Sequence, residues 1–178
     1  MNATIVQAAL CKTRLRSRPL PSVFFFPGLN TAPVFQNDRF PSARDMSLHT
    51  PIILQEYLRL KERRRGENYE TGEEKLHVGR WEWYSYIDKG GVSSDFSLEC
   101  PRTAELLDSF VQPRLMRETP FSFAFFSTLR SQSSISPHYG PTNIRIRCHL
   151  PLIIPQGDCG FHVGGEKIVS SFEMINLI

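Results

Sequence analysis

A nearly continuous apolar run from Phe121 to Leu129 most constrains how this chain can fold. The turn signal Thr119-Pro120 comes directly before the run and breaks the chain there. A short apolar segment bounded in this way predicts a buried strand, with other elements packed against it in a two-layer core.

Two helices are predicted ahead of this strand. The first has Thr50 as its N-cap and Pro51 at its first helical position, and apolar residues recur at helical spacing until Gly66. The second is short and runs from Pro101 to Phe110. The first helix is expected to lie on the back of a sheet, and the second to point Leu106, Leu107 and Phe110 inward.

A second strand is predicted from Trp81 to Ile87, because Trp81, Trp83, Ser85 and Ile87 alternate with more polar residues. Two helices followed by a strand-rich half favour an α+β domain, mainly β, built on a jelly roll of the cupin-like kind. The segment from 19 to 41, rich in Pro and Phe, is expected to be extended and to serve packing, not binding.

Composition excludes several classes of protein. A chain of 178 residues with 40% hydrophobic residues fits one domain, and a dispersed net charge of +3 argues against nucleic acid as a partner. No apolar run approaches the ~18 residues that cross a bilayer, so a soluble chain without a transmembrane segment is expected. The four cysteines lack C-x-x-C spacing, which argues against structural zinc and a disulfide framework. Cys148 is expected to be a buried free thiol.

The stretch from 137 to 150 carries the candidate chemistry. His138 lies in a turn-rich segment and is a possible metal ligand. Apolar and polar residues alternate strictly from 143 to 150, which is typical of a strand with one apolar and one cationic face. A cationic face of this kind can bind a small dicarboxylate through guanidinium and imidazolium groups. The alternatives are a half-exposed strand with a solvated basic face and a histidine that is only a loop residue. The predicted apolar face holds Ile144, Ile146, Cys148 and Leu150, and the polar face holds Asn143, Arg145, Arg147 and His149.

The string His138-Tyr-Gly-Pro-Thr-Asn-Ile-Arg-Ile-Arg-Cys-His149-Leu-Pro-Leu-Ile-Ile-Pro155 resembles the core motif of the aspartyl/asparaginyl β-hydroxylase family. Members of that family are Fe(II)- and 2-oxoglutarate-dependent dioxygenases. The resemblance extends less specifically to residues 100–103 and 26–29, and covers residues 22–169. It implies a double-stranded β-helix with flanking helices.

The resemblance also implies the site and its partners. His138 is the implied metal ligand, and Ser127, Arg147 and His149 are the implied groups that hold 2-oxoglutarate as co-substrate. O₂ is the second co-substrate, and a peptide or protein with an aspartyl or asparaginyl side chain is the implied substrate. Gly140 stands where the wider superfamily has an acidic ligand, and the family itself resembles this chain in having glycine there and using two histidines.

The second metal-binding histidine and an arginine after it are expected, by the family's spacing, beyond Ile178. His162 is a candidate substitute, but a strand residue is the favoured interpretation. The resemblance therefore implies a C-terminally truncated member whose last strands are missing. The alternative function is a non-catalytic binding or interaction module.

The implied organisation has three parts. Residues 1–20 form a tail that is disordered or has a targeting role, residues 21–169 form the incomplete hydroxylase-like domain, and residues 170–178 diverge from the family. The sequence indicates neither a compartment nor an oligomeric state, although relatives occur in the endoplasmic reticulum or the cytoplasm.

Overall fold

The computed structural model describes residues 21, 23–35, 39–63, 77–111, 114–157, 159–168 and 176–177. Four helices and nine strands lie within these ranges. The helices are α1 (Pro41–Leu48), α2 (Thr50–Arg63), α3 (Ser94–Glu99) and α4 (Pro101–Asp108). The strands are β1 (His77–Val78), β2 (Trp81–Asp88), β3 (Gly91–Val92), β4 (Phe123–Leu129), β5 (Ser134–Ile135), β6 (Cys148–His149), β7 (Phe161–Val163), β8 (Glu166–Ile168) and β9 (Asn176–Leu177).

All of these strands pair in the antiparallel sense. The largest described sheet has the order β3-β2-β4, and three two-stranded sheets are formed by β1 with β5, β6 with β9 and β7 with β8. The fold is thus a mixed arrangement of helices and antiparallel strands, as the α+β prediction requires. Within the described ranges, helices take a share comparable to that of strands, and closure into a jelly roll stays a prediction.

The pair of β2 and β4 forms the centre of the molecule. β2 confirms the strand predicted from Trp81, and β4 begins at Phe123, two residues later than predicted. The delay has a physical reason, because the turn that starts at Thr119 extends to Ser122. The Ser122 backbone N–H donates to the Thr119 carbonyl at 3.1 Å, and the two hydroxyls lie 2.7 Å apart.

A β-bulge in β2 corrects one detail of the predicted alternation. Ser85 lies opposite Phe125 and Ile87 lies opposite Ala124, so Tyr86 is an extra residue on its strand. The bulge turns Ile87 to the face that carries Ala124, where it is 0% exposed. The prediction that Ile87 shares a face with Trp81 was therefore wrong, since an extra residue inverts a period of two.

The helices cover one face of the β3-β2-β4 sheet and bury the core there. The Phe126 ring lies 5.3 Å from the rings of Tyr57 in α2 and Phe96 in α3, measured between centroids. Burying a side chain of this size contributes roughly 1.5–3 kcal/mol. The buried apolar cluster comprises Ala43, Met46, Ile53, Tyr57, Leu60, Tyr86, Ile87, Phe96, Cys100, Ala104, Ala124 and Phe126.

The long helix α2 begins at Thr50, one residue before the predicted first helical residue, Pro51. The His49 carbonyl accepts from the backbone N–H groups of Ile52 at 3.0 Å and Ile53 at 3.1 Å, which makes Thr50 the first helical residue. The Thr50 hydroxyl instead donates to the Ser47 carbonyl at 2.7 Å. The predicted end at Gly66 lies outside the described residues, as do residues 1–20 and most of the divergent tail.

Helix α4 confirms the predicted start at Pro101 and has an unusual N-terminus. The carboxylate of Glu56, only 1% exposed, reaches across from α2 and accepts from the backbone N–H groups of Arg102 at 3.1 Å and Thr103 at 2.8 Å. It also accepts from the Thr103 hydroxyl at 2.7 Å. A helix N-terminus stabilises such an anion through its unpaired N–H groups and its dipole. The remote cap therefore fixes α4 against α2.

An N-terminal segment packs beside the motif that follows His138. The Pro141 carbonyl accepts from the backbone N–H groups of Val23 and Phe24, both at 2.9 Å. The Asn143 amide then makes a reciprocal pair with Phe26, accepting from its N–H at 2.7 Å and donating to its carbonyl at 2.8 Å. These bonds agree with the predicted packing role of the segment.

None of the helices in the described ranges is long and apolar enough to cross a membrane.

Candidate active site

The sheet face that points away from the helices is aromatic. We call Trp81, Trp83, Phe123 and Phe125 the aromatic wall. Trp83 stacks on Phe125 with centroids 4.4 Å apart and an interplanar angle of 19°, and Trp81 meets Trp83 edge to face at 4.9 Å. Side chains at alternate positions of paired strands meet in this way. The aromatic wall is an apolar surface on which polar side chains can pack.

Two arginines from the motif lie over this wall. The Arg147 guanidinium is 5.5 Å from the centroid of Phe125, and that of Arg145 is 6.0 Å from the centroid of Phe123. Both distances are within the range of a cation–π contact. The two arginines are two residues apart in the motif, and the two rings that they cover are two residues apart in β4. The wall therefore places the two cations side by side.

This packing corrects the predicted strand from 144 to 150. Only Cys148 and His149 are in a strand, and over residues 144–147 the predicted faces are reversed, because the arginines are half-buried whereas Ile144 is 43% and Ile146 is 38% exposed. Alternation showed that the two sets of side chains point in opposite directions. It did not show which set of side chains packs against the rest of the protein. An arginine side chain can pack on the aromatic wall as well as extend into solvent.

Ser127 lies on the same side of β4 as Phe125, two residues further along. Its hydroxyl oxygen accepts from the Trp81 indole N–H at 2.9 Å. Because a hydroxyl has one proton to give, this contact leaves the Ser127 O–H able to donate to a ligand. The structure thus brings two of the predicted co-substrate residues, Ser127 and Arg147, to one face.

The third predicted co-substrate residue, His149, is in β6 beside Cys148. Both side chains retain exposed surface, so the prediction of a buried thiol at Cys148 was wrong. Protein atoms nevertheless crowd around both groups and withdraw solvation. This desolvation raises the pKa of Cys148 to about 12.

The same desolvation, together with the charge of Arg147, lowers the pKa of His149 to about 4. Solvent still reaches the ring, so the direction of the shift is what bears on the chemistry. His149 is a neutral imidazole at physiological pH, and not the imidazolium that a charge-paired carboxylate would require.

His138 is exposed on the loop between β5 and β6. Its Nδ1 lies 2.9 Å from the Ser136 carbonyl oxygen, and since a carbonyl can only accept, Nδ1 carries the proton. This contact leaves Nε2 as the ring nitrogen that could hold a metal, as in metal-binding histidines whose other nitrogen is held by a second partner. His138 fits the role of an iron ligand. Among the residues that the structure describes, no three His, Cys, Asp or Glu side chains come together as a larger ligand set.

The other motif residues have simple positions. Gly140 lies next to Arg145. His162 is an exposed residue of β7 and lies opposite Lys167 of β8, so the interpretation as a strand residue is confirmed. The hairpin that joins the two strands turns at Gly164 and Gly165, with φ of +59° and +90°, as a tight two-residue connection requires.

Sequence reasoning missed the aromatic wall as part of the site. Trp83 and Phe125 carry no acid–base or metal-binding chemistry, so neither is conspicuous in a search for ligands. The available signal was the phase of β4, which places Phe123, Phe125 and Ser127 on one side. Trp83 Nε1 and His77 Nδ1 are also buried there without a hydrogen-bond partner in the described part of the chain.

Comparison with known proteins gives matches over most of the chain. Residues 47–171 match a family model described as aspartyl/asparaginyl beta-hydroxylase. The human protein named aspartate beta-hydroxylase domain-containing protein 2 is 35% identical over 158 residues, which cover 85% of this chain and 42% of that protein. Its Xenopus tropicalis counterpart is 34% identical over 160 residues, with the same coverage. Human aspartyl/asparaginyl beta-hydroxylase is 26% identical over 115 residues, covering 65% of this chain and 15% of that protein. The chain thus spans about two fifths of the length of the curated relatives that it matches at 34–35% identity.

Proposed function

The chain belongs to the aspartyl/asparaginyl β-hydroxylase family, and on that premise we propose that it is an Fe(II)- and 2-oxoglutarate-dependent dioxygenase. Its proposed substrate is an aspartyl or asparaginyl side chain of a peptide or protein. Bound Fe(II), with 2-oxoglutarate and O₂, supplies the hydroxylation chemistry and yields succinate and CO₂. The proposed domain is a jelly roll, of which the β2–β4 pair contributes the site face.

One observation carries the proposal: the Arg147 guanidinium lies over the ring of Phe125, and Ser127 follows Phe125 by two residues on the same face of β4. A guanidinium held against an aromatic ring loses little conformational freedom when it binds a carboxylate. The Ser127 O–H on the same strand face adds a second donor. Together they form a binding site for a small dicarboxylate such as 2-oxoglutarate.

His149 and His138 have complementary roles in this proposal. His149, neutral because its pKa is lowered, donates one N–H to the keto acid without adding a charge. His138 would hold the iron through Nε2, while the Ser136 carbonyl fixes the ring from Nδ1. The aromatic wall limits water beneath the Arg147 guanidinium, which strengthens the electrostatic interaction of that group with an anionic ligand.

The test is Fe(II)-dependent succinate production by the purified chain, with His138→Ala and His162→Ala as a matched pair. His138→Ala is expected to abolish turnover, and His162→Ala is expected to retain it because His162 lies in a separate hairpin. Arg147→Ala is expected to weaken 2-oxoglutarate binding by about 2–4 kcal/mol, since one partner of a charge pair is lost. Equal turnover in the wild type and His138→Ala would contradict the proposal.

A second candidate is a non-catalytic member that binds a dicarboxylate or a partner protein. The observation that favours it is that Arg147, over Phe125, and the Ser127 hydroxyl are hydrogen-bond donors that could hold an anion without a metal. A folded chain that 2-oxoglutarate stabilises against heat, but that makes no succinate with Fe(II), would establish this alternative.

A further inference from the structure

The hydroxyl of Ser127 has a partner that can only donate. Ser127 is exposed on β4, and its Oγ lies 2.9 Å from Nε1 of Trp81. A serine hydroxyl has one proton and two lone pairs, whereas an indole nitrogen has a proton and no capacity to accept. The Ser127 oxygen is therefore the acceptor of this bond, and its own proton points away from Trp81.

The next hydroxyl along β4 has a different kind of partner. Thr128 Oγ1 lies 2.7 Å from the hydroxyl of Tyr57 in α2, on the opposite face of the strand, and either oxygen of that pair can be the donor. Such a bond leaves the direction of the threonine proton open. The bond from Trp81 to Ser127 fixes the direction, because it cannot be reversed.

Trp81 is itself held in place by its neighbours. Its side chain belongs to a residue that is 7% exposed, and its ring meets the rings of His77 at 5.9 Å and Trp83 at 4.9 Å, both edge to face. The register of β2 and β4 puts Trp83 directly opposite Ser127, so Trp81 reaches the serine from the diagonal position. A buried, immobile donor is thus bonded to an exposed hydroxyl.

We propose that Trp81 is a positioning residue for the co-substrate: its indole N–H holds the Ser127 oxygen as an acceptor and so keeps the Ser127 proton available to a carboxylate of 2-oxoglutarate. This inference rests on the proposed function, because it takes Ser127 as a group that holds 2-oxoglutarate. Without the indole N–H, the hydroxyl can rotate to another staggered position and donate to a nearby backbone carbonyl. A hydroxyl that accepts one hydrogen bond is also a stronger donor in the next. Trp81 acts through Ser127 and does not need to touch the ligand.

The first test is the dissociation constant of 2-oxoglutarate, measured by isothermal titration calorimetry with Mn²⁺ in place of Fe(II) so that no turnover occurs. Trp81→Phe is expected to weaken binding about three- to tenfold, the size of one hydrogen bond, but less than about twofold when Ser127→Ala is already present. Unchanged affinity in Trp81→Phe would overturn the inference. Equal weakening in both backgrounds would also overturn it, because the ring would then act through packing alone.

Tyr57→Phe is the matched control for this test. It removes an aromatic hydrogen-bond partner from the neighbouring hydroxyl of β4, on the opposite face, and should change the affinity for 2-oxoglutarate by less than about twofold. Circular dichroism checks the folding of each variant. If Trp81→Phe does not fold, benzothienylalanine at position 81 takes its place, since it keeps the size of the ring and lacks the N–H.

The second test needs neither metal nor ligand. The two tryptophans of the chain give two indole N–H signals in a ¹H–¹⁵N correlation spectrum, and the signal that Trp81→Phe removes belongs to Trp81. Ser127→Ala should move that signal upfield and speed its exchange with solvent, because the indole proton loses its acceptor. An unchanged Trp81 signal in Ser127→Ala would refute the bond on which the positioning depends.

The two failures can be told apart. If the wild type does not bind 2-oxoglutarate, or if Ser127→Ala binds it as tightly as the wild type, the proposed function loses its co-substrate site and the inference falls with it. If Ser127→Ala weakens binding while Trp81→Phe does not, the inference alone fails and the proposed function stands.

Discussion

Two adjacent side chains, Cys148 and His149, share an environment that opposes charge of either sign. The pKa of the thiol rises and that of the imidazole falls, and each shift keeps the group neutral at physiological pH. Arg147 adds to the effect at His149, because a second cation nearby disfavours imidazolium. In the proposed site, a dicarboxylate would meet the permanent cation of Arg147 beside two neutral groups, the Cys148 thiol and the His149 imidazole.

The lowered pKa of His149 predicts a pH dependence of stability. Its folded-state pKa of about 4 lies below its unfolded value of about 6.5, so the unfolded chain binds more protons in that window. Stability is therefore lost as the pH falls from 6.5 toward 4. His149→Gln should flatten this part of the curve of unfolding free energy against pH, as measured by urea denaturation.

Carboxylates elsewhere titrate alike in both proteins, so the comparison is between the two slopes and not between absolute stabilities. Identical slopes would show that burial does not disfavour imidazolium at this position.

At the scale of elements, the remote cap on α4 joins two helices through one carboxylate. Glu56 satisfies two backbone N–H groups and one hydroxyl that would otherwise be buried without a partner. Arg59 lies 3.8 Å from the same carboxylate at its exposed edge. The cap holds α4 against α2, and both cover the core face of the sheet.

Replacing Glu56 by Leu should therefore destabilise the protein by about 2–4 kcal/mol, since the N–H groups lose their acceptor in a buried setting. Glu56→Gln keeps one acceptor oxygen and should cost less. Thermal or urea unfolding measures the difference, and Glu105→Leu, on the exposed side of α4, is the matched control. A loss no greater than that of the control would contradict the role of the cap.

The central elements could be predicted from the sequence because apolar period and turn residues specify β2, β4, α2 and α4 locally. The bulge at Tyr86 could not, since no glycine or other local signal accompanies it and cross-strand register determines it. The short helices α1 and α3 present too few turns for a clear apolar stripe. The motif after His138 was predicted as a longer strand because its residues alternate between Ile and Arg. That pattern does not distinguish arginines that face solvent from arginines that pack on the aromatic wall.

For the whole molecule, the candidate site depends on residues far apart in sequence. Asn143, five residues after His138, is bonded to Phe26 from the opposite end of the chain. Phe24 packs edge to face on Phe121, with centroids 6.2 Å apart. The N-terminal segment thus supports the motif loop, although the family model begins only at residue 47. Sequence patterns predicted both partners but not their contact, because nothing local encodes it.

Asn143→Ala should release this segment, since it removes both bonds to Phe26 at once. We expect a loss of about 1–3 kcal/mol in stability and faster proteolytic cleavage near residues 27–30. Asn30→Ala is the matched control, because the bond that Asn30 makes within the described residues is a local, exposed one from the Ala32 N–H. Equal cleavage rates in the two variants would show that the segment is held by other contacts.

The aromatic wall also gives the protein a built-in optical reporter. The chain has two tryptophans, and both belong to the wall, where their rings contact each other. Trp83 also stacks on Phe125, the ring over which the Arg147 guanidinium lies. Intrinsic fluorescence excited in the indole band therefore arises entirely from the candidate site. Occupancy of that face by an anion can be followed by quenching or by a spectral shift, without a label and without turnover.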